Sequence, residues 1–121
     1  MRRRQYEEIN AITRTDAEAA AERDIPKELA VCVVSVALHE MNRVFAQQYC
    51  LSLASHRDNV VRGNAILGFG HLARRFQEID TTRVVPVVEA GLKDENEYVR
   101  GHAFDAADDI QHFCGNLLFL R

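Results

Sequence analysis

Hydrophobic residues recur at helical spacing along most of the chain. The first segment, about 4–23, is rich in Ala and Glu and is predicted to be helical, with a possible break near 13–15. The longest apolar run, LAVCVVSVAL at 29–38, follows Pro26, a residue that the first turn of a helix tolerates. A buried helix is therefore predicted from Pro26 to about Glu40. A further amphipathic helix is predicted next, with the core candidates Val44, Phe45, Tyr49, Leu51 and Leu53.

The second half of the chain contains an internal repeat. SHRDNVVRGNAILGFGHLARRF and KDENEYVRGHAFDAADDIQHFC align at an offset of 38 residues, which places 61–63 on 99–101. Asp58 and Asn96 then coincide, and both residue types suit a helix N-cap. Each repeat helix carries a single apolar stripe. A repeat of this length built from paired helices is typical of an α-solenoid, so a single all-α domain is predicted over residues 1–121.

The repeated segments resemble HEAT repeats. The resemblance rests on Asp58 with Val61, Arg62 and Ala65, and on the matching Asp94 with Val99, Arg100 and Ala103. It implies HEAT-like repeats at about 43–76 and 82–114, in which the earlier helix of each pair is the outer one. It also implies a structural role, in which an Arg braces the turns between repeats against an acid, for Asp58, Arg62, Asp94 and Arg100.

Three glycines, Gly63, Gly68 and Gly70, fall inside one predicted helix. Each is expected to cost about 0.5–1 kcal/mol relative to Ala. Close packing between helices and the close approach of a partner both explain them.

A second face remains on each repeat helix once the apolar stripe is set aside. On the later helix this face carries Tyr98, His102, Asp105, Asp109 and His112, and on the earlier helix it carries Val60, Asn64, Leu67, His71 and Arg74. Stacked solenoid helices bind partners along such a surface, so the two rows are expected side by side on the concave face. A merely solvated charged face is the alternative. The predicted partner-binding residues are Asn64, Leu67, His71, Arg74, Tyr98, His102, Asp105, Asp109 and His112.

Negative charge is concentrated in this part of the chain. The net charge is -3, whereas the stretch from Glu89 to Asp109 alone has seven acids against Lys93 and Arg100. Carboxylates beside a tyrosine suit a basic protein surface, and the acidic balance argues against nucleic-acid binding. No apolar run has the length of a membrane span. The three cysteines form no C-x-x-C pair and are expected to be reduced core residues of a cytoplasmic protein.

Few sequence patterns point to metal binding or catalysis. His102 with Asp105 and Asp108 with His112 have the spacing of metal ligands on a helix, but the pairs point in different directions and no second cluster completes a site. His39-Glu40 resembles one of the His-Glu pairs with which HEAT-like deoxyhypusine hydroxylases hold iron; those enzymes use several pairs. No nucleophile triad or phosphate-binding loop is present, so neither an enzyme nor a cofactor is predicted.

The segments VRGNAILGFGHLAR and LKDENEYVRGHAFDAADDIQHF are similar to small bacterial HEAT-type immunity proteins, including those paired with contact-dependent growth-inhibition toxins. The resemblance implies a cytoplasmic protein that binds and neutralises one cognate toxin domain. A nuclease is favoured as the toxin, because carboxylates spaced along a helix mimic phosphate charge in a basic cleft. The alternatives are a general HEAT adaptor that scaffolds other proteins and a metal-dependent HEAT-like hydroxylase.

Overall fold

The computed structural model describes residues 9–115, and this part of the chain contains helices and no strand. The helices are α1 (Arg14–Arg23), α2 (Pro26–His39), α3 (Arg43–Leu53), α4 (Asn59–Phe76), α5 (Thr81–Leu92) and α6 (Glu97–Cys114). The predicted all-α class is therefore confirmed. The predicted helix at Pro26 also begins where expected, with proline in the first turn.

Short polar side chains fix the start of each of the last four helices. The side-chain oxygens of Asn42, Asp58, Asp80 and Asn96 accept hydrogen bonds from backbone amides in the first turns of α3, α4, α5 and α6. These amides have no partner within the helix, and losing such a cap typically costs about 1 kcal/mol. The N-caps predicted at Asp58 and Asn96 are both present.

The first segment differs from expectation. A helix was expected from about residue 4, but α1 begins at Arg14, and Thr13 Oγ1 caps it by accepting from Asp16 N at 3.0 Å. Residues 9–13 are not helical, and 4–8 lie outside the described residues. Contacts with α2 hold this stretch in place instead, because Ser35 Oγ donates to the Asn10 carbonyl at 2.6 Å.

The helices form two rows. The inner row consists of α2, α4 and α6, with α4 in the middle, and the outer row consists of α1, α3 and α5. Each outer helix packs on the inner helix that follows it, which is a solenoid-like arrangement. The pairs α3–α4 and α5–α6 occupy the ranges expected for the two repeats. Their assignment as HEAT-like repeats stays a prediction.

Glycine lets the neighbours approach α4 closely. A Cβ atom on Gly68 would lie 2.7 Å from Cys50 Sγ of α3, and one on Gly63 would lie 2.8 Å from the Tyr98 ring of α6. A Cβ on Gly70 would lie 3.1 Å from the Ala106 Cα atom. Packing between helices therefore accounts for the glycines in α4, because any larger side chain would push α3 or α6 away.

The core lies between the two rows. Its largest fully buried side chains include Leu29, Ile66, Phe69, Leu72 and Ile110. The core assignment of Val44 is wrong, because this residue lies on the solvent side of α3 and is 64% exposed. All three cysteines are free thiols; Cys50 is buried, whereas Cys32 and Cys114 are half-buried. None of the helices described here is both long and apolar enough to cross a membrane.

Candidate partner-binding surface

The two predicted rows of side chains lie next to each other. The Tyr98 hydroxyl of α6 donates to Asn64 Oδ1 of α4 at 2.6 Å, near the start of both helices. Further along both helices, the Asp109 carboxylate of α6 lies against Gly70 of α4. Because α4 and α6 run side by side between these two points, the exposed parts of both rows share one surface.

Tyr98 is held in one orientation. Its ring covers Gly63, its hydroxyl is bonded to Asn64, and its centroid lies 4.1 Å from that of the His102 ring. Asn64 also donates to the Ala30 carbonyl of α2 at 3.1 Å, which links all three inner helices. Tyr98 is still 39% exposed. A side chain that is both accessible and already fixed loses little conformational entropy when a partner covers it.

The carboxylates of α6 differ in their surroundings. Glu97, Asp105 and Asp108 are exposed, whereas Asp109 is half-buried. Burial raises the pKa of Asp109, and the nearby Arg74 guanidinium acts in the opposite direction. The exposed acids therefore give α6 its negative surface, and Asp109 lies at the edge between that surface and α4.

Two histidines of this region, His71 and His102, have pKa values lowered by burial. His71 is buried, and the loss of solvation, reinforced by Arg74, lowers its pKa to about 4. Burial also lowers the pKa of His102, although Asp105 opposes that change. Both imidazoles are therefore neutral at pH 7 and leave the negative charge of the α6 carboxylates unopposed.

Two of the predicted partner-binding residues are buried. Leu67 and His71 are each only 7% exposed, because α4 lies between α2 and α6 and their side chains cover it. They support the surface and offer a partner almost no area. The predicted residues that solvent reaches most readily are Arg74, Tyr98, Asp105 and His112, while Asn64, His102 and Asp109 are half-buried.

Three of the four residues predicted to be structural, Arg62, Asp94 and Arg100, form a brace between successive turns. Arg62 donates through Nε and Nη2 to the two carboxylate oxygens of Asp94, both at 2.9 Å, and through Nη1 to the His56 carbonyl. This pairing holds the pKa of Asp94 below its usual range. Arg100 donates to the backbone carbonyl of Asp94 at 2.8 Å rather than to a carboxylate. Asp58 differs from the expectation, because its carboxylate caps α4.

A groove between the outer helices was missed from the sequence. It has a volume of about 770 Å³ and lies between α3 and α5, with Leu51, Pro86 and Val87 among its lining residues and Ile66 of α4 at its inner side. The volume falls within the usual range for ligand pockets, about 300–1,000 Å³. Small residues and a proline along one side of α5 were the only sequence signal, since the gap depends on how the outer helices are spaced.

The His39-Glu40 pair, which resembles an iron-binding pair, has other contacts. His39 Nε2 lies 2.7 Å from the Ile9 carbonyl, and the Glu40 carboxylate accepts from Asn42 N and pairs with Arg14. His39 and Glu40 thus join the chain before and at the start of α1 to the C-terminal end of α2. Within residues 9–115, no three His, Cys, Asp or Glu side chains are grouped as metal ligands.

The fold is similar to that of a protein in a known complex. A chain in the crystal structure of a CDI complex from Cupriavidus taiwanensis LMG 19424 superimposes on this one with a TM-score of 0.76 and 25% sequence identity. The match covers 88% of this chain and 94% of that chain. No family model matches the sequence, and neither does any curated protein. The chain thus resembles a component of a CDI complex over most of its length.

Proposed function

We propose that this protein is the immunity protein of a contact-dependent growth-inhibition system and that it binds and neutralises a cognate toxin domain. The observation that carries the proposal is the match to a chain of a CDI complex, at a TM-score of 0.76 and with 94% of that chain covered. Because the match extends over most of both chains, the two proteins share the arrangement of their helices and not just a single helical pair. Contact-dependent growth inhibition pairs a toxin domain with an immunity protein, and a helical protein in such a complex suits the second role.

The α4–α6 surface is the proposed interface. Tyr98 supplies a fixed aromatic anchor, and Asp105 is an exposed carboxylate about two turns further along the same helix. Aromatic residues held in position dominate the binding energy of many interfaces, and complementary charge selects the partner. The chemistry of the surface therefore favours a partner with lysines and arginines around an apolar pocket.

A nuclease is the favoured toxin. A nuclease cleft is lined with cations that bind nucleic-acid phosphates, and the carboxylates of α6 lie along one helix as a similar series of negative charges. Inhibition then requires no chemical step, because the bound protein excludes the substrate in a stoichiometric complex. Electrostatic attraction would accelerate association, so the association rate is expected to fall as salt is added.

Charge reversal on α6 tests the proposal. Asp105 is exposed, so it is changed to Lys, whereas Asp109 is changed to the isosteric Asn because its carboxylate packs against Gly70. The Asp105→Lys/Asp109→Asn variant is expected to bind the cognate toxin domain about 100-fold more weakly, the loss typical of two central interface residues. Calorimetry gives the affinity, and survival of toxin-exposed cells gives the protection.

Glu78→Lys is the matched control. Glu78 follows α4, its side chain is 71% exposed and pairs with Arg43 of α3, and its reversal leaves the acidic residues of α6 unchanged. This variant should bind within about twofold of the wild type, since surface charges outside an interface contribute little. Equal affinity for the wild type and the α6 variant would disprove the interface. Absence of binding by the wild-type protein would disprove the immunity function and favour the adaptor.

A further inference from the structure

Three exposed apolar side chains lie on the three helices of the inner row. They are Val31 of α2, Val60 of α4 and Tyr98 of α6, which are 53%, 44% and 39% exposed. Val60 precedes Asn64 by one helical turn, so these two residues lie on the same face of α4. Val31 belongs to neither of the two rows predicted from the repeat, because that repeat does not include α2.

The side chain of Asn64 joins the three helices at this level of the stack. Its amide nitrogen donates to the carbonyl of Ala30, the residue before Val31, at 3.1 Å. Its Oδ1 atom accepts from the Tyr98 hydroxyl at 2.6 Å. Both neighbours of α4 are therefore held against it beside Val60. We call Val31, Val60 and Tyr98 the apolar strip, which crosses the inner row from α2 to α6.

The α4–α6 surface is too small to form a whole protein interface. A specific interface covers about 20–30 residues on each side and buries about 800 Å² of each partner. With Leu67 and His71 buried, the accessible residues of this surface fall well short of that number, even when the exposed acids Glu97 and Asp108 are included. A partner that binds stably to this surface must therefore also contact residues beside it.

The chemistry of the α4–α6 surface indicates which neighbouring residues complete it. The fully buried centre of an interface is rich in apolar and aromatic side chains and poor in charge, whereas charged groups lie at its rim. The accessible side chains of the α4–α6 surface are mainly polar or charged, apart from Tyr98. Val31 and Val60 supply the apolar area that is lacking. Because Tyr98 belongs both to the apolar strip and to the α6 face, the two are continuous.

We propose that the toxin interface extends across α4 to α2, and that the apolar strip of Val31, Val60 and Tyr98 binds a patch of aliphatic or aromatic side chains on the toxin domain. This inference rests on the immunity function proposed above. The basic residues of the toxin then lie to one side of its apolar patch, where they face the carboxylates of α6. Burial of the strip slows dissociation, whereas the carboxylates accelerate association.

Methyl NMR in the presence of the soluble nitroxide TEMPOL tests whether the toxin covers the strip. TEMPOL broadens the signals of methyl groups that it reaches from solvent. In the free protein, the methyl groups of Val31, Val60 and Val44 are all expected to be broadened, because all three side chains are exposed. In the complex with the cognate toxin domain, Val31 and Val60 should be protected. Val44 is the matched control, since it lies on α3 in the outer row and should stay accessible.

Serine variants measure what the strip contributes to affinity. Val31→Ser/Val60→Ser is expected to bind the cognate toxin domain about tenfold more weakly, because each half-exposed valine buries about half of its side chain on binding. The loss should appear in the dissociation rate and should not change with salt, whereas the loss in Asp105→Lys/Asp109→Asn should depend on salt. Val44→Ser should bind within about twofold of the wild type. Valine and serine have similar helix propensities, and circular dichroism checks that each variant remains helical.

Several results would overturn the extension to α2. They are unchanged broadening of Val31 and Val60 in the complex, equal affinities of the wild type and Val31→Ser/Val60→Ser, and an equal loss in Val44→Ser. A dimer of the free protein that dissociates in Val31→Ser/Val60→Ser would assign the strip to a second copy of this chain instead. If the wild type binds the toxin while the strip stays exposed, only the extension fails. If the wild type does not bind it, the immunity function fails as well.

Discussion

Helices α4 and α6 share the Val-Arg-Gly triplet, at 61–63 and 99–101, and occupy equivalent places in successive helical pairs. Their surroundings differ. α4 packs on an inner-row neighbour on each side, whereas α6 packs closely on one inner-row neighbour, α4, within the described structure. Positions that are Leu67, Gly70 and His71 in α4 correspond to Asp105, Asp108 and Asp109 in α6. Position in the stack therefore decides whether the same helix face is packed or charged.

The largest difference between α4 and α6 is expected in the pH dependence of stability that the equivalent residues His71 and Asp109 produce. His71 is buried and has a pKa of about 4, below the ordinary value of about 6.5, so the unfolded chain binds a proton there before the folded chain does. Its contribution to stability is thus lost as pH falls from about 6.5 to 4, and amounts to about 3 kcal/mol of unfolding free energy.

His71→Gln removes this titration and should flatten the fall in unfolding free energy over that pH range, measured by urea denaturation at several pH values. The comparison uses the slope of unfolding free energy against pH, so a change in the variant's overall stability does not affect it. Asp109→Asn is the control at the equivalent position. Because burial raises the Asp109 pKa, the folded chain binds that proton first, and the effect of Asp109 on stability has the opposite sign. Identical slopes for wild type and His71→Gln would contradict the burial of a neutral His71.

The next largest difference is expected in the stability lost when each of the equivalent arginines, Arg62 and Arg100, is replaced. Arg62 makes a two-pronged ion pair with Asp94 in which both side chains are at most 16% exposed, whereas the exposed Arg100 makes a single bond to a backbone carbonyl. Arg62→Met is expected to cost about 2–3 kcal/mol, since it also leaves Asp94 without its partner. Arg100→Met should cost about 0.5 kcal/mol. Thermal and urea denaturation measure both, and equal costs would show that Arg62 does not brace the turns.

The equivalent glycines should give effects of opposite sign. Nothing lies within 4 Å of a Cβ atom added at Gly101, so Gly101→Ala should stabilise the protein by about 0.5–1 kcal/mol through helix propensity. At Gly63 the added atom meets the Tyr98 ring, and moving that ring breaks its bond to Asn64. Gly63→Ala should therefore destabilise by about 1 kcal/mol. Two stabilising substitutions would show that Tyr98 moves aside freely.

Local signals made much of the fold predictable. Pro26 marked the start of α2, and Asp58 and Asn96 marked the starts of α4 and α6, because these residues act through neighbouring backbone groups. The Val-Arg-Gly repeat revealed the paired helices. The start of α1 was misplaced, since residues 9–13 are held by contacts with α2 from 25 to 30 positions away in the chain. Such contacts leave no local pattern.

The surface was only partly predictable. Helical spacing identified the two rows, and the Tyr98–Asn64 bond joins them as the repeat offset suggested. Spacing did not reveal that Leu67 and His71 are covered, because burial on α4 depends on how closely its neighbours approach. The glycines that allow this approach were visible, but their partners at Tyr98, Ala106 and Cys50 became evident only in three dimensions. The groove between α3 and α5 depends on the spacing of the outer helices, which sequence periodicity does not specify.

Cross-saturation NMR of the complex with the toxin domain tests the central claim most directly. Protons of the unlabelled toxin are irradiated, and signal loss is followed at the backbone amides of the labelled protein. The account predicts that the losses centre on 98–109 of α6 and include the exposed part of α4 around Asn64 and Arg74. Losses confined to the outer row, at 14–23 and 43–53, would contradict the assignment of the acidic α6 surface as the toxin-binding interface.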